Sequence, residues 1–153
     1  MTNLLDTCAH ELMDTTPKIM QSIRMEMRRG HGSDLSIPQF RSLRFIQRNP
    51  DTSLSDLADH LGLTLPSVSK LIDGLVKQEL IDRQESTTDR RRLMLVLTQK
   101  GEAIIGSALA SAQAHLSSIL TALSNDELKT IHLALELLNP LFLSQSRLQP
   151  VKE

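Results

Sequence analysis

The stretch "STTDRRRLMLVLTQKG", residues 86–101, joins three consecutive arginines directly to five consecutive apolar residues. The like charges of Arg90, Arg91 and Arg92 repel each other, so these side chains are not expected to pack together in a core. The apolar residues 93–97 have the composition of a buried strand. The abrupt change from charged to apolar therefore predicts the exposed tip of a hairpin whose second strand returns to the protein body.

The segments on both sides of this tip support the hairpin. Residues 80–86 and 92–98 are predicted to form its two strands, joined by the polar turn "TTDRR". Asp89 is expected to accept hydrogen bonds from the backbone of the tip or from Arg91, which would hold the turn in shape. Thr98 is placed to cap a long helix that begins after the second strand.

Two short helices are predicted immediately before the hairpin. The first, within "SLSDLADHLGL" (53–63), is capped by Ser53 or Ser55 and ended by Gly62. Thr64 caps the second, within "TLPSVSKLIDGLVKQEL" (64–80), and Pro66 lies in its first turn. Two short helices joined by a tight turn and followed by a two-stranded hairpin form a winged helix-turn-helix.

The residue types of this segment are suited to DNA. The major groove is about 12 Å wide and admits one helix, whose first turn then approaches phosphates and base edges. The predicted recognition-helix contacts are Thr64, Pro66, Ser67, Ser69 and Lys70. A hairpin tip fits the minor groove, where the negative potential attracts arginine, and the predicted wing contacts are Asp89, Arg90, Arg91 and Arg92.

The rest of the chain is predicted to be helical. Residues 2–30 have apolar residues at helical spacing, although Pro17 either kinks this helix or divides it in two. A further helix is predicted within residues 36–50, and "SNDE" (124–127) is a capping box that starts the last one. The fold class is therefore mainly α, with about six helices and a small β-hairpin wing.

Composition limits the environment and the chemistry. The net charge is −1, so any attraction to nucleic acid depends on local charge rather than on the total. Cys8 is the only cysteine, which excludes an intramolecular disulfide and fits a reducing compartment. No run reaches 18 apolar residues, and the N-terminus has no basic region followed by an apolar stretch. We expect a cytoplasmic protein without a membrane partner and without a cofactor.

Residues 53–101 resemble the MarR family of bacterial transcription regulators. "LSDLADHLGLTLPSVSKLIDGLVKQELIDR" is similar to the family's helix-turn-helix. "DRRRLMLVLTQKG" is similar to its Asp-x-Arg wing followed by Leu-Thr-x-x-Gly, with Asp89 and Arg91 at the Asp and Arg positions. One position departs from the family pattern, because Glu79 stands where a glycine usually precedes the first wing strand. A left-handed cap there would cost a non-glycine residue about 1 kcal/mol, so the helix is expected to end differently.

The resemblance implies a homodimer that binds a pseudo-palindromic operator, with repression as its default action. Its helical dimerisation region would comprise residues 1–35 and 99–146, and its DNA-binding domain residues 36–98. Residues 147–153 would form a flexible tail. Similar proteins bind small phenolic or lipophilic acids between these two parts. By position, the residues expected at such an effector pocket are Met20, Ile23, Phe40, Leu43 and Arg44.

Several alternatives stand beside the repressor hypothesis. Cys8 suggests a redox-sensing repressor, although a thiol on an apolar helical stripe is typical of core packing, and the chain has no tyrosine to assist it. The chain has five widely spaced histidines, which argue against a metal site, and His60 is expected on an exposed face. No catalytic constellation is present, so an enzyme is not expected. A winged-helix interaction module without sequence-specific DNA binding stays open.

Overall fold

A computed structural model describes residues 3–29 and 35–146 of the chain. Its elements, in chain order, are α1 (Leu4–Arg29), α2 (Ile37–Arg48), α3 (Leu54–Leu61), α4 (Leu65–Lys77), β1 (Ile81–Glu85), β2 (Leu93–Leu97), α5 (Gln99–Leu120) and α6 (Asn125–Ser146). The predicted fold class and order of elements are confirmed. Residues 30–34, predicted as part of a turn, and the predicted tail 147–153 lie outside the described residues.

The chain divides into two compact units between residues 114 and 115, within α5. The first unit contains α1 to α4, the hairpin and the start of α5. The second contains the end of α5 and α6. The predicted dimerisation region and DNA-binding domain, with boundaries near residues 35 and 98, are defined by role and stay a prediction.

Side-chain caps determine where the helices of the first unit begin. Ser36 and Gln39 form a capping box at α2, with Ser36 Oγ accepting from Gln39 N at 3.3 Å and Gln39 Oε1 accepting from Ser36 N at 2.8 Å. Ser53, rather than Ser55, caps α3, and Gly62 ends that helix in the left-handed conformation with φ +67°. Thr64 caps α4, as predicted.

The first helix is continuous and contains Pro17, so the alternative of two separate helices is wrong. None of its residues is buried within the chain as far as the structure describes it. Glu26 accepts a hydrogen bond from Ser111 of α5 at 3.1 Å. The apolar stripe that predicted this helix is therefore largely exposed, with Leu5 at 72% and Met13 at 76%.

The second unit is also poor in buried residues. The predicted capping box is present at the start of α6, where Ser124 N donates to Glu127 Oε2 at 2.8 Å and Glu127 N donates to Ser124 Oγ at 3.4 Å. Leu133, Leu135 and Leu137 of α6 are more than half exposed. By length and composition alone α5 is apolar enough to cross a membrane, but the core helix of a soluble protein passes the same test.

One hydrophobic core joins α2, α3, α4, the hairpin and the start of α5. Almost fully buried side chains come from every one of these elements, so the helix-turn-helix and the wing fold as one body. Its members are Leu43, Ile46, Leu57, Ala58, Val68, Ile72, Leu75, Leu80, Ile81, Leu95 and Ile105.

The wing is an antiparallel hairpin whose register pairs Ile81 with Leu97 and Glu85 with Leu93. Leu95 N donates to the carbonyl oxygen of Thr52 at 2.8 Å, so the connection between α2 and α3 lies beside β2. Ile81 and Leu95 are buried, but Leu93 is 57% exposed. The prediction that the apolar strand returns to the core holds beyond its first residue, because Leu93 lies at the tip end of the hairpin.

The junction between the wing and α5 is held by a close backbone contact. Thr98 N donates to the carbonyl oxygen of Leu80 at 3.1 Å, and Thr98 Oγ1 donates to that of Glu79 at 2.6 Å. Thr98 Oγ1 also accepts from Gly101 N at 3.0 Å, which caps α5 as predicted. A Cβ on Gly101 would lie 2.2 Å from the carbonyl oxygen of Leu80. Only glycine fits this position without displacing the backbone.

The backbone at Glu79 has φ +60°, which is the left-handed conformation. The expectation that the helix would end differently without glycine is therefore wrong. Leu80 N bonds to the carbonyl oxygen of Leu75 at 3.0 Å, and Glu79 N bonds to that of Val76 at 2.9 Å. These bonds complete the C-terminal cap of α4 and require the left-handed residue, whatever its side chain.

We expect Gly101→Ala to lower the free energy of unfolding by about 2–3 kcal/mol, because its Cβ would overlap the Leu80 carbonyl oxygen. Chemical denaturation monitored by circular dichroism measures this change. The matched control is Gly106→Ala in the same helix, where a Cβ would meet nothing within 4 Å. That variant should gain up to about 1 kcal/mol from helix propensity. Equal stability of the two variants would contradict the contact.

Replacing Glu79 by glycine should stabilise the protein by about 0.5–1 kcal/mol, because glycine adopts φ +60° without the Cβ clash. The same denaturation experiment measures it. Glu79→Ala is the control, since it removes the carboxylate but keeps the Cβ and should gain nothing. If alanine stabilised as much as glycine, side-chain charge rather than backbone strain would explain the result.

Candidate nucleic-acid interface

The start of α4 presents a small polar surface. Thr64 has an extended backbone and its Oγ1 accepts from Ser67 N at 3.4 Å, while the Thr64 hydroxyl donates to Ser67 Oγ at 2.9 Å. Thr64, Pro66, Ser67 and Lys70 are exposed, and Ser69 is half-buried. The first turn contains no acidic residue. The positive end of the helix dipole is therefore not neutralised, and an approaching phosphate meets hydroxyl groups there.

The tip of the wing is shaped by short hydrogen-bonded turns. Ser86 is buried, and its hydroxyl oxygen accepts from the backbone N–H groups of Thr88 and Asp89, each at 3.3 Å. Arg91 N donates to Asp89 Oδ1 at 3.0 Å, which agrees with the expectation that Asp89 binds the backbone of the tip. Ser86 was not predicted to shape the tip, although a serine at the start of a polar turn commonly makes such bonds.

The three consecutive arginines of the wing, Arg90 to Arg92, differ in whether they form an ion pair. Arg92 forms an ion pair with Asp56 of α3, and its guanidinium also lies 3.5 Å from the carbonyl oxygen of Asp51. Arg90 and Arg91 are exposed, and neither guanidinium is paired with any residue that the structure describes. Arg92 is thus the least suited of the three to contact DNA, because its charge is already matched within the chain.

A second ion pair joins the wing to the recognition helix. Arg83 of β1 binds Asp73 of α4 through Nη2 and Oδ1. Both side chains are partly exposed, at 34% and 53%. Neither residue was predicted as functional, although Asp73 lies on the polar face of α4 together with Ser69 and Lys70. No spacing rule links a helix residue to a strand residue ten positions later, so the sequence carried no signal for this pair.

Asp56 is held in its charged form by several groups. Burial raises the pKa of its carboxyl group, but hydrogen bonds from the backbone and hydroxyl of Ser53 and the charge of Arg92 outweigh burial and lower it. Asp56 occupies the third position of α3, where its Oδ2 accepts from Ser53 N at 2.9 Å. The same carboxylate therefore completes the helix cap and binds the end of the wing.

His60 lies at the end of α3 and stacks on Phe45 of α2, with ring centroids 4.2 Å apart and planes inclined by 20°. Arg41 Nη2 donates to the carbonyl oxygen of His60 at 3.4 Å. Partial burial lowers the pKa of His60, and the nearby charge of Arg41 lowers it further. Both effects favour the neutral imidazole. It lies on an exposed face, as predicted. In the described ranges, no three or more His, Cys, Asp and Glu residues are grouped to hold a metal ion.

The residues predicted for an effector pocket differ in their accessibility. Leu43 is a core residue with no exposed surface, so it cannot contact a ligand in this conformation, and Phe40 packs against the same core. Arg44 is half-buried and donates to Gln47 Oε1 at 2.6 Å, and burial lowers its pKa, with Arg48 adding to the effect. On α1, Met20 is exposed and Ile23 is half-buried.

Cys8 is exposed on α1. The interpretation of its thiol as core packing is therefore wrong within a single chain, because the stripe of α1 that carries it is not covered by described residues of this chain. A partner surface would have to cover it.

Comparison with known proteins identifies the segment that carries this geometry. Residues 33–92 match the model of the MarR family, which confirms the resemblance. The chain is 27% identical over 106 residues, 69% of its length, to the uncharacterized HTH-type transcriptional regulator YfiV of Bacillus subtilis (strain 168). The chain covers 66% of that relative, and between 49% and 68% of the curated relatives compared with it.

Solved structures share the fold over nearly the whole chain. A MarR family protein from Bacillus stearothermophilus superposes with a TM-score of 0.77 at 20% identity, covering 93% of this chain and 99% of that one. A point mutant of MepR from S. aureus, bound to an oligodeoxyribonucleotide, superposes with a TM-score of 0.62 at 20% identity, covering 87% and 96%. At these identities the likeness shows the winged-helix fold.

Proposed function

We propose, from the premise that residues 33–92 match the MarR family and that α2 to β2 fold as a winged helix, that this protein is a transcriptional regulator that binds double-stranded DNA sequence-specifically. The observation that carries the proposal is the pairing of two exposed features on one folded body. One is the hydroxyl-rich start of α4, and the other is the wing tip, where Arg90 and Arg91 have no ion pair with a described residue. Neither feature is required by the core, and both are chemically suited to nucleic acid.

The two features would contact different grooves. The start of α4 enters the major groove, where Ser67, Ser69 and Lys70 reach phosphates and base edges. The wing tip lies over the adjacent minor groove, with Arg91 inserted and Arg90 near a phosphate. Serine and threonine hydrogen-bond to several bases, so the target sequence does not follow from these residues.

The active form is a homodimer. Six large apolar side chains of α1 are at least 40% exposed, namely Leu4, Leu5, Met13, Ile19, Met20 and Met25, and α6 exposes Leu133, Leu135, Leu137 and Leu141. Apolar surface of this extent needs a partner, and a second copy supplies the same surface in a symmetric contact. Two recognition helices would then read a pseudo-palindrome with half-sites about one helical turn apart.

Binding of the dimer at an operator would block transcription, so we assign it as a repressor in the cytoplasm that a small phenolic or lipophilic acid releases. The half-buried Arg44 supports the acid, because a guanidinium in a partly apolar setting suits a carboxylate. Relief of repression by oxidation of Cys8 is the second candidate, and the exposure of that thiol on α1 favours it.

A fluorescence-anisotropy titration against the DNA upstream of the protein's own gene and against scrambled DNA tests the function. We expect nanomolar binding to the upstream DNA and at least ~10³ weaker binding to the scrambled control. Equal, weak and steeply salt-dependent binding to both would overturn the proposal and favour an interaction module that uses the winged fold without reading DNA.

Replacing Arg91 by alanine should weaken operator binding by roughly 1–3 kcal/mol, because its guanidinium is assigned to the minor groove. The same titration measures this loss, and sedimentation should show an unchanged dimer. Lys129→Ala is the matched control, since it removes one positive charge from α6, outside the winged helix, where Lys129 is paired with Asp126. Equal losses in both variants would reduce the role of Arg91 to long-range charge.

A further inference from the structure

We propose that Asp73 is a positioning residue for DNA binding, because its ion pair with Arg83 holds the wing at the angle from which its tip reaches DNA. The inference rests on the proposed function and deepens it. The motif that identifies the wing contains neither residue, and neither was a candidate contact.

The ion pair is placed to control wing position. Asp73 lies on α4, two turns after the hydroxyl-rich start, and Arg83 is the central residue of β1. The pair therefore ties the element proposed to enter the major groove to the hairpin proposed to reach the minor groove. At the other end of the hairpin, Arg92 is tied to Asp56 of α3. Each side of the wing thus has one ionic link to one helix of the helix-turn-helix.

Burial supports the second strand of the wing more than the first. Ile81, Met94 and Leu95 are buried, but Asp82 to Glu85 are exposed and Leu93 at the tip end is 57% exposed. A two-stranded hairpin is only marginally stable by itself, and β1 has no buried side chain beyond Ile81. Among the described residues, the two ion pairs are polar side-chain links that join the wing to α4 and α3.

Loss of the Asp73 carboxylate is expected to change DNA affinity in the opposite direction from that predicted by charge alone. An acidic residue near the DNA repels phosphates, so removing it should strengthen binding if charge were its only effect. A positioning acid behaves in the opposite way, because its loss frees the wing and the affinity falls. Asp73 and Asp56 also neutralise Arg83 and Arg92, which keeps the positive charge of the wing at Arg90 and Arg91.

The decisive variant is Asp73→Asn, with Asp82→Asn as the matched control. Asp82 lies on β1 next to Arg83, is exposed, and has no ion pair with a described residue. Both variants remove one negative charge from the winged helix. We expect Asp73→Asn to weaken operator binding roughly 3- to 30-fold, whereas Asp82→Asn leaves it unchanged or slightly tighter. Because surface ion pairs contribute little to folding, the melting temperature should fall by about 4 °C or less.

A charge swap distinguishes positioning of the wing by the ion pair from direct contact of Arg83 with phosphate. Arg83→Asp alone should weaken binding, and the double variant Asp73→Arg with Arg83→Asp should recover most of the affinity, because it restores the pair with reversed charges. If Arg83 instead contacted phosphate directly, the double variant would stay weak, and the positioning role would be overturned. Asp73→Asn binding as tightly as wild type, or more tightly in the manner of Asp82→Asn, would also overturn it.

A measurement without DNA keeps this inference separate from the proposed function. Two spin labels, at Thr87→Cys in the wing and Lys77→Cys in α4, report the wing-to-helix distance by electron–electron double resonance. The labelled protein carries Cys8→Ser, so that only the two new cysteines react, and it is diluted with unlabelled chain. We expect a narrow distribution that broadens in Asp73→Asn, and an unchanged distribution would overturn the clamp. A different outcome is that the wild-type protein binds its upstream DNA and scrambled DNA equally while the distance distribution still broadens in Asp73→Asn. In that case the ion pair would hold the wing, but the proposed function would fail, and with it the role of the pair in DNA binding.

Discussion

The close approach of Gly101 to the carbonyl oxygen of Leu80 is the constraint on which the wing depends. This approach lets Thr98 donate hydrogen bonds to the carbonyl oxygens of Glu79 and Leu80. The end of α4, the two ends of the hairpin and the start of α5 therefore meet at one junction. The left-handed residue before Leu80 turns the chain sharply enough to begin β1 at Ile81. Without this junction the wing would have a core contact but no fixed direction.

From this junction toward the tip of the hairpin, ion pairs and hydrogen bonds add to apolar burial. The base of the hairpin is held by apolar burial, and its connection to the segment before α3 is a backbone bond between Leu95 and Thr52. Farther out, ion pairs to Asp73 and Asp56 add to the burial of Met94, and hydrogen bonds around Ser86 and Asp89 shape the tip. Because these carboxylates pair with Arg83 and Arg92, they leave Arg90 and Arg91 without an ion pair among the described residues. In the proposed function, structure and recognition would therefore share one set of residues.

Much of this architecture could be predicted because its signals are local. Caps at Ser53, Thr64 and Thr98 act within four residues, and the change from arginines to an apolar run marks the wing within one short segment. The pairs Asp73–Arg83 and Asp56–Arg92 could not be predicted, since they join elements whose relative placement only the folded core defines. The conformation of Glu79 was predicted wrongly for a related reason. Its intrinsic preference is against φ +60°, but the hydrogen bonds and packing that follow it override about 1 kcal/mol of local strain.

The net charge of −1 and the pairing of the wing arginines together bear on how the protein would bind DNA. A protein with no overall positive charge has little long-range attraction to DNA, so non-specific binding should be weak and most affinity must come from contacts made in register. Of the four arginines in the wing segment, Arg83 and Arg92 are neutralised by helix carboxylates, and Arg90 and Arg91 stay available. With the proposed function, a regulator built in this way would gain discrimination rather than general affinity. Arg90 and Arg91 would contribute only when the wing is held at the angle that brings them to the groove.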